Sequence, residues 1–255
     1  MKYFIFILSL AYLLLSHCTS SRNHRQNASL LPKVQADSLN LYDSTRNRSI
    51  PVVCYHLNSA EKSKPVVIFS HGYGGNRGGD NVAYTYLTET LAAAGYFVAS
   101  IQHELPTDDT LPRGGIPKMV RKANWERGVQ NIHFTIKELQ RVYPKLNYRR
   151  LSLIGHSNGG DMTMLFAHTY PNLIQKAISL DNRRMDLPLT NNPRIYSLRS
   201  SDMPADEGVI PSLSDQKKYQ ITVIYLPNTP HNNMDNNANE AQGKEIVTYL
   251  LKFLK

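Results

Sequence analysis

Leu151-Ser152-Leu153-Ile154-Gly155-His156-Ser157-Asn158-Gly159-Gly160-Asp161-Met162-Thr163-Met164-Leu165-Phe166-Ala167-His168 is the stretch whose reading decides the fold. It opens as a short apolar run and closes with helical spacing. A serine stands between two glycines at the junction. That is the pattern of a nucleophile elbow, a sharp strand-to-helix turn that leaves a serine hydroxyl exposed at the strand's end. Glycine suits the flanking positions because a Cβ would collide in so tight a turn. The expected chemistry is hydrolysis through an activated serine.

Working outward, residues 39–42 and 49–57 read as two strands joined by a polar turn, a hairpin. Residues 65–70 form a continuous apolar run, as a strand covered on both faces should. Residues 81–94 have helical spacing and stop at Gly95. Residues 96–101 read as a strand, and 102–121 as a long loop with three prolines. Residues 124–142 are amphipathic, with Trp125, Val129, Ile132, Ile136 and Leu139 on one side. Beyond the elbow helix come strands at 177–180, 195–198 and 221–226, then an amphipathic helix over 240–255. Strands alternating with helices after an opening hairpin predict an α/β fold. Its sheet is mainly parallel and twisted, with an N-terminal antiparallel hairpin and helices on both faces. Sites in such sheets form beyond the carboxyl ends of the strands.

The chain has 255 residues, enough for one large domain, and no internal repeat marks a second. Its 29 Lys+Arg outnumber 20 Asp+Glu, yet these charges are scattered and no nucleic-acid-binding signature accompanies them. Residues 3–15 are almost wholly apolar after Lys2, and too short for a bilayer span, which needs about 20 residues. Residues 1–20 therefore read as a secretory signal peptide. Leu15-Ser16-His17-Cys18 resembles a lipobox, so lipidation of Cys18 and simple cleavage near Ser20 both stand. Either way export is expected, to the periplasm, the exterior or a lipid anchor in the membrane. Residues 21–37 read as a flexible tether and 38–255 as the catalytic domain. Cys54 reads as a small apolar strand residue.

A serine hydroxyl needs a base, and the base an orienting acid. His231 follows the last strand and is the expected base for Ser157. His103, which follows another strand end, is its nearest rival. Asp202, just past the strand at 195–198, is the expected acid. Asp206 is the alternative, and Asp181 the remaining candidate. The glycine-rich stretch Ser70-His71-Gly72-Tyr73-Gly74-Gly75 follows a buried strand and supplies an oxyanion hole, with the Tyr73 and Asn158 amides as donors. Metal-ligand spacings are absent.

Together these residues resemble the α/β-hydrolase superfamily, over residues 39–255. Within it the chain looks most like compact dienelactone-hydrolase and platelet-activating-factor-acetylhydrolase-like serine esterases, the cue being the hairpin at 46–52 leading into the central strand. Dienelactone hydrolase proper has a cysteine nucleophile where this chain has Ser157. The resemblance implies a carboxylic-ester hydrolase that forms an acyl-enzyme and needs no cofactor. Its partner is a small-molecule ester, not a nucleic acid. A thioesterase, amidase or peptidase would use the same triad, and a non-catalytic binding protein of this fold is the reading from another class. Residues 181–193 are too few for a helical lid. The 102–122 loop is the expected cover, with Arg113, Lys118 and Arg183 placed to meet an anionic substrate.

Overall fold

The computed structural model describes residues 33–58 and 63–255. The signal peptide, Cys18 and most of the expected tether lie outside these residues.

The chain runs β1 (Val34–Asp43), β2 (Arg48–Leu57), β3 (Pro65–Ser70), α1 (Thr85–Ala93), β4 (Phe97–Ile101), α2 (Pro117–Val120), α3 (Lys122–Val142), β5 (Asn147–His156) and α4 (Ser157–Thr169). It continues through β6 (Lys176–Leu180), β7 (Arg194–Arg199), α5 (Leu213–Tyr219), β8 (Thr222–Tyr225) and α6 (Glu240–Leu254). One eight-stranded sheet results, in the order β1-β2-β4-β3-β5-β6-β7-β8. The pairs β1·β2 and β2·β4 are antiparallel and every later pair is parallel.

Two apolar layers cover the sheet. On one face α3 and α4 bring Trp125, Ile132, Leu139, Met164 and Phe166 against Ile68, Ala99 and Leu153. On the other, α1 and α6 bring Leu87, Leu91, Ile246 and Leu250 against Val67, Phe69 and Ile154. Alternate residues of β3 and β5 therefore point into different cores, and both strands must be apolar throughout their central stretch. Cys54 is buried in the first core, and burial pushes its thiol up to about 12.

Three expectations need correction. The segment read as tether ends early, because Val34 to Asp37 already pair with Leu57 to Cys54. Most of this outer half of β1 is exposed, so an edge strand formed without an apolar alternation to announce it. The helix expected over residues 81–94 is interrupted: a 3-10 turn, Asp80–Val82, precedes α1, and Tyr84 between them has ψ 32 and φ −131. The loop after β4 contains α2, and α5 arose with no buried residue and hence no periodic signal. Residues 181–193, between β6 and β7, contain no helix.

Candidate active site

Ser157 is the first residue of α4 and has φ 52, a left-handed conformation that a non-glycine residue adopts only when its surroundings impose it. They do. A Cβ on Gly155 would stand 2.2 Å from the Gly159 carbonyl oxygen, and one on Gly159 would stand 2.3 Å from that of Ser70. The turn is as close as two backbones can come, and Ser157 is pushed outward from it.

The Ser157 Oγ lies 2.9 Å from His231 Nε2. The opposite ring nitrogen, Nδ1, lies 2.5 Å from Asp181 Oδ2. A carboxylate can only accept, so Nδ1 carries the hydrogen and Nε2 offers its lone pair to the serine hydroxyl. Ser157 and His231 thus meet as expected, but the carboxylate at the histidine is Asp181, at the end of β6, not Asp202 or Asp206. Asp181 is fully buried. Burial alone would raise its pKa; the hydrogen bond to His231, the Arg199 charge at 2.8 Å and two hydrogen bonds from Ser200 outweigh this and hold it below the usual aspartate value.

Asp202 is exposed, and its Oδ1 accepts the His231 main-chain N–H at 2.7 Å. It braces the main chain of His231 rather than its imidazole. Asp206 pairs instead with Arg184. The end of β7, where an acid was expected, presents Arg199, whose guanidinium reaches Asp181 and the Asn182 carbonyl. His103 does not serve Ser157: its ring is buried and its Nε2 is 2.9 Å from Ser70 Oγ.

The glycine loop after β3 is clamped on both sides. The His103 main-chain N–H donates to His71 Nε2 at 3.0 Å, which leaves His71 Nδ1–H to donate to the Gly72 carbonyl at 2.7 Å. The Gly72 N–H donates to the Tyr84 hydroxyl at 3.0 Å, which in turn lies 2.6 Å from His156 Nδ1. In a trans peptide the carbonyl and the following N–H point opposite ways. Fixing the Gly72 carbonyl therefore fixes the Tyr73 N–H, and that N–H has no partner among the described residues. The Asn158 N–H stands in the first turn of α4, where no intrahelical acceptor exists. Burial holds His156 down at about 3, so the ring beside His231 stays neutral. A cavity of 250 Å³ opens over these groups, lined by Gly72, Tyr73, Tyr84, Ser157, His231 and Asp235 among others.

Beneath the elbow lies a buried set of residues that the sequence did not reveal. Asn158 accepts from the Trp125 indole at 2.8 Å and donates to Asn124 at 2.9 Å and Glu104 at 3.1 Å. Asn124 donates to the same Glu104 oxygen at 3.2 Å. Three segments, the loop after β4, α3 and the start of α4, are thereby locked together. Glu104 lies in a loop and Asn124 at a helix start, positions where polar residues usually face water. Nothing local marks them as buried.

Comparisons with known proteins bear on the fold. The family model "Platelet-activating factor acetylhydrolase, isoform II" matches residues 39–107, the segment from the hairpin through the glycine loop to just past β4. A probable serine hydrolase of Drosophila melanogaster is 29% identical over 79 residues, covering 30% of this chain and 24% of that protein. A serine hydrolase-like protein of Danio rerio is 35% identical over 48 residues, covering 19% of this chain. The chain thus spans 24% and 15% of the lengths of these two relatives. Solved structures align over far more. A putative dienelactone hydrolase from Klebsiella pneumoniae gives a TM-score of 0.62 at 15% identity, over 87% of this chain and 98% of that one. A bacterial heroin esterase gives 0.59 at 15% identity, over 88% and 84%. The chain has the fold of these structures, the α/β-hydrolase fold.

Proposed function

We propose that this protein is a serine hydrolase cleaving carboxylic esters through an acyl-enzyme on Ser157. The observation that carries this reading is the hydrogen-bonded line Ser157 Oγ, His231 Nε2, His231 Nδ1, Asp181 Oδ2, with spacings of 2.9 and 2.5 Å at its two ends. The Ser157 oxygen attacks the ester carbonyl carbon while its proton passes to His231 Nε2. The carbonyl electrons move onto oxygen, and the Tyr73 and Asn158 N–H groups stabilise that charge. Asp181 keeps the imidazole in the required tautomer and stabilises its charged form. The tetrahedral adduct collapses, and the leaving alkoxide takes the proton from His231. Water then repeats the sequence, with His231 again the base, releasing the carboxylic acid and restoring Ser157. No step calls for a cofactor. The apolar leader and the Cys18 motif support an exported, or lipid-anchored, location for this activity.

A fluorophosphonate probe followed by peptide mapping tests the reading. One adduct is expected, on Ser157. Ser157→Ala should abolish both labelling and ester turnover while far-ultraviolet circular dichroism stays unchanged. Turnover retained by that variant would overturn the mechanism.

A further inference from the structure

The carboxylate of Asp181 is held mainly by the end of β7. Its Oδ1 accepts the Ser200 main-chain N–H at 3.0 Å and lies 2.8 Å from Arg199 Nη2. Its Oδ2 accepts from Ser200 Oγ at 2.6 Å and from His231 Nδ1 at 2.5 Å. Arg199 makes a second contact: its Nη1 donates at 2.6 Å to the carbonyl of Asn182, the residue directly after Asp181. That contact bears on the backbone. Asp181 has φ 55, and a residue other than glycine stays left-handed only where its surroundings over-determine it. One guanidinium therefore grips both the side chain of the acid and the main chain just beyond it.

Stability alone does not explain a pair of this kind. Arg199 is 2% exposed and Asp181 0%. Taking two charges out of water costs much of what their attraction returns, and apolar residues of similar volume often serve a core better. A buried cation does have a use where a carboxylate must stay ionised beside an imidazole, out of reach of water. Among the described residues, only Arg199 and His231 form ion pairs with Asp181. The other charged or titratable groups face elsewhere. Asp202 takes the His231 main-chain N–H, Asp235 lines the cavity on the Ser157 side, and the neutral His156 ring stands 4.7 Å from that of His231. Around Arg199, Tyr225 is its register partner on β8, and the two line a cavity with Asp206 and Glu207. Asp206 is paired with Arg184, and Asp161 and Arg183 act on Arg199 through charge.

We propose that Arg199 is a positioning residue of the triad: acting through Asp181, it aims the carboxylate at His231 Nδ1 and sets the pH range in which the pair serves as base. This inference rests on the ester-hydrolase reading above. It adds a fourth member to Ser157, His231 and Asp181, from the strand end at which the sequence predicts the acid itself. When His231 takes the Ser157 proton, the group Arg199, Asp181 and His231 passes from neutral to one net positive charge. Without Arg199 it would pass from one net negative charge to neutral. Removing the cation therefore makes the Asp181–His231 pair hold its proton more tightly, whichever member carries it.

The pH dependence of kcat/KM for 4-nitrophenyl acetate tests it. In Arg199→Met the acid limb should move to higher pH by about half a unit or more. Its kcat should fall about tenfold or more with KM little changed, since the carboxylate is no longer aimed. Arg199→Lys, which keeps the charge, should return the limb toward its original position. In an Asp181→Asn background, Arg199→Met should lower kcat by less than about threefold more, because Arg199 has no carboxylate left to act through. That double variant removes both buried charges, so it decides the matter even if Arg199→Met alone does not fold. A further loss of about tenfold there would overturn the inference. So would an unshifted limb and undiminished kcat in folded Arg199→Met, or a shift that Arg199→Lys leaves in place. Those results leave the hydrolase standing as long as the fluorophosphonate labels Ser157 of the unmodified protein. No labelling and no turnover of any ester by that protein would overturn both.

Discussion

At the scale of single residues Asp181 and Asp202 both contact His231 but have different tasks, and substitution separates them. Asp181→Asn keeps the shape but offers Nδ1 an amide, which can hold the wrong tautomer. It should lower kcat by about 10⁴-fold with little change in KM. Asp202→Asn keeps an oxygen to accept the His231 main-chain N–H, so steady-state kinetics should show less than about tenfold loss. A larger loss in Asp202→Asn than in Asp181→Asn would mean that Asp202, not Asp181, orients the base. The sequence placed Ser157 and His231 because each sits in a local pattern: glycines around one, the end of the last strand before the other. An acid has no such pattern. Asp181, Asp202 and Asp206 all follow strands, and only the reach of each side chain across the sheet's end distinguishes them. Asp181 has left-handed backbone, φ 55, which aspartate adopts more readily than most residues, but that preference is shared by all three aspartates and singles out none.

At the scale of elements, the site depends on how closely β5, α4 and the glycine loop approach. The Cβ positions of Gly155 and Gly159 are filled by main chain, which cannot swing aside as a side chain can. Gly155→Ala should therefore cost about 3 kcal/mol or more of stability, read as the shift in urea midpoint, and should abolish labelling of Ser157 in any protein that remains folded. A wild-type midpoint in that variant would show that the elbow has room to relax. The central strands were legible as continuous apolar runs because both of their faces meet apolar cores, and the long helices from periodicity because one face meets a core and the other water. The outer half of β1 and the whole of α5 were not, because they bury little and so carry no pattern.

At the scale of the whole molecule, the fold buries charge near the site, and stability should register it. Burial raises the Asp161 pKa to about 6, despite hydrogen bonds from Met185 and Arg184. Since the folded value lies above the unfolded one, the associated stability is fully present below about pH 4 and is lost as pH rises through 6. Asp161→Asn keeps an acceptor oxygen and removes this loss. Relative to that variant, the unmodified protein should lose about 1–3 kcal/mol between pH 4 and pH 7 in urea unfolding. A pH-independent difference would show that Asp161 is not strained by its burial. The amino-acid sequence by itself determined the α/β architecture, the strand-to-helix turn that carries Ser157, the place of His231 after the last strand and the glycine loop after β3, because hydrophobic period and glycine placement act locally along the chain. Only the tertiary structure decided which aspartate meets His231 and that Glu104 and Asn124 hold Asn158. Those relations join residues far apart in the chain, and distance in space, not order in sequence, sets the strength of a hydrogen bond or a charge pair.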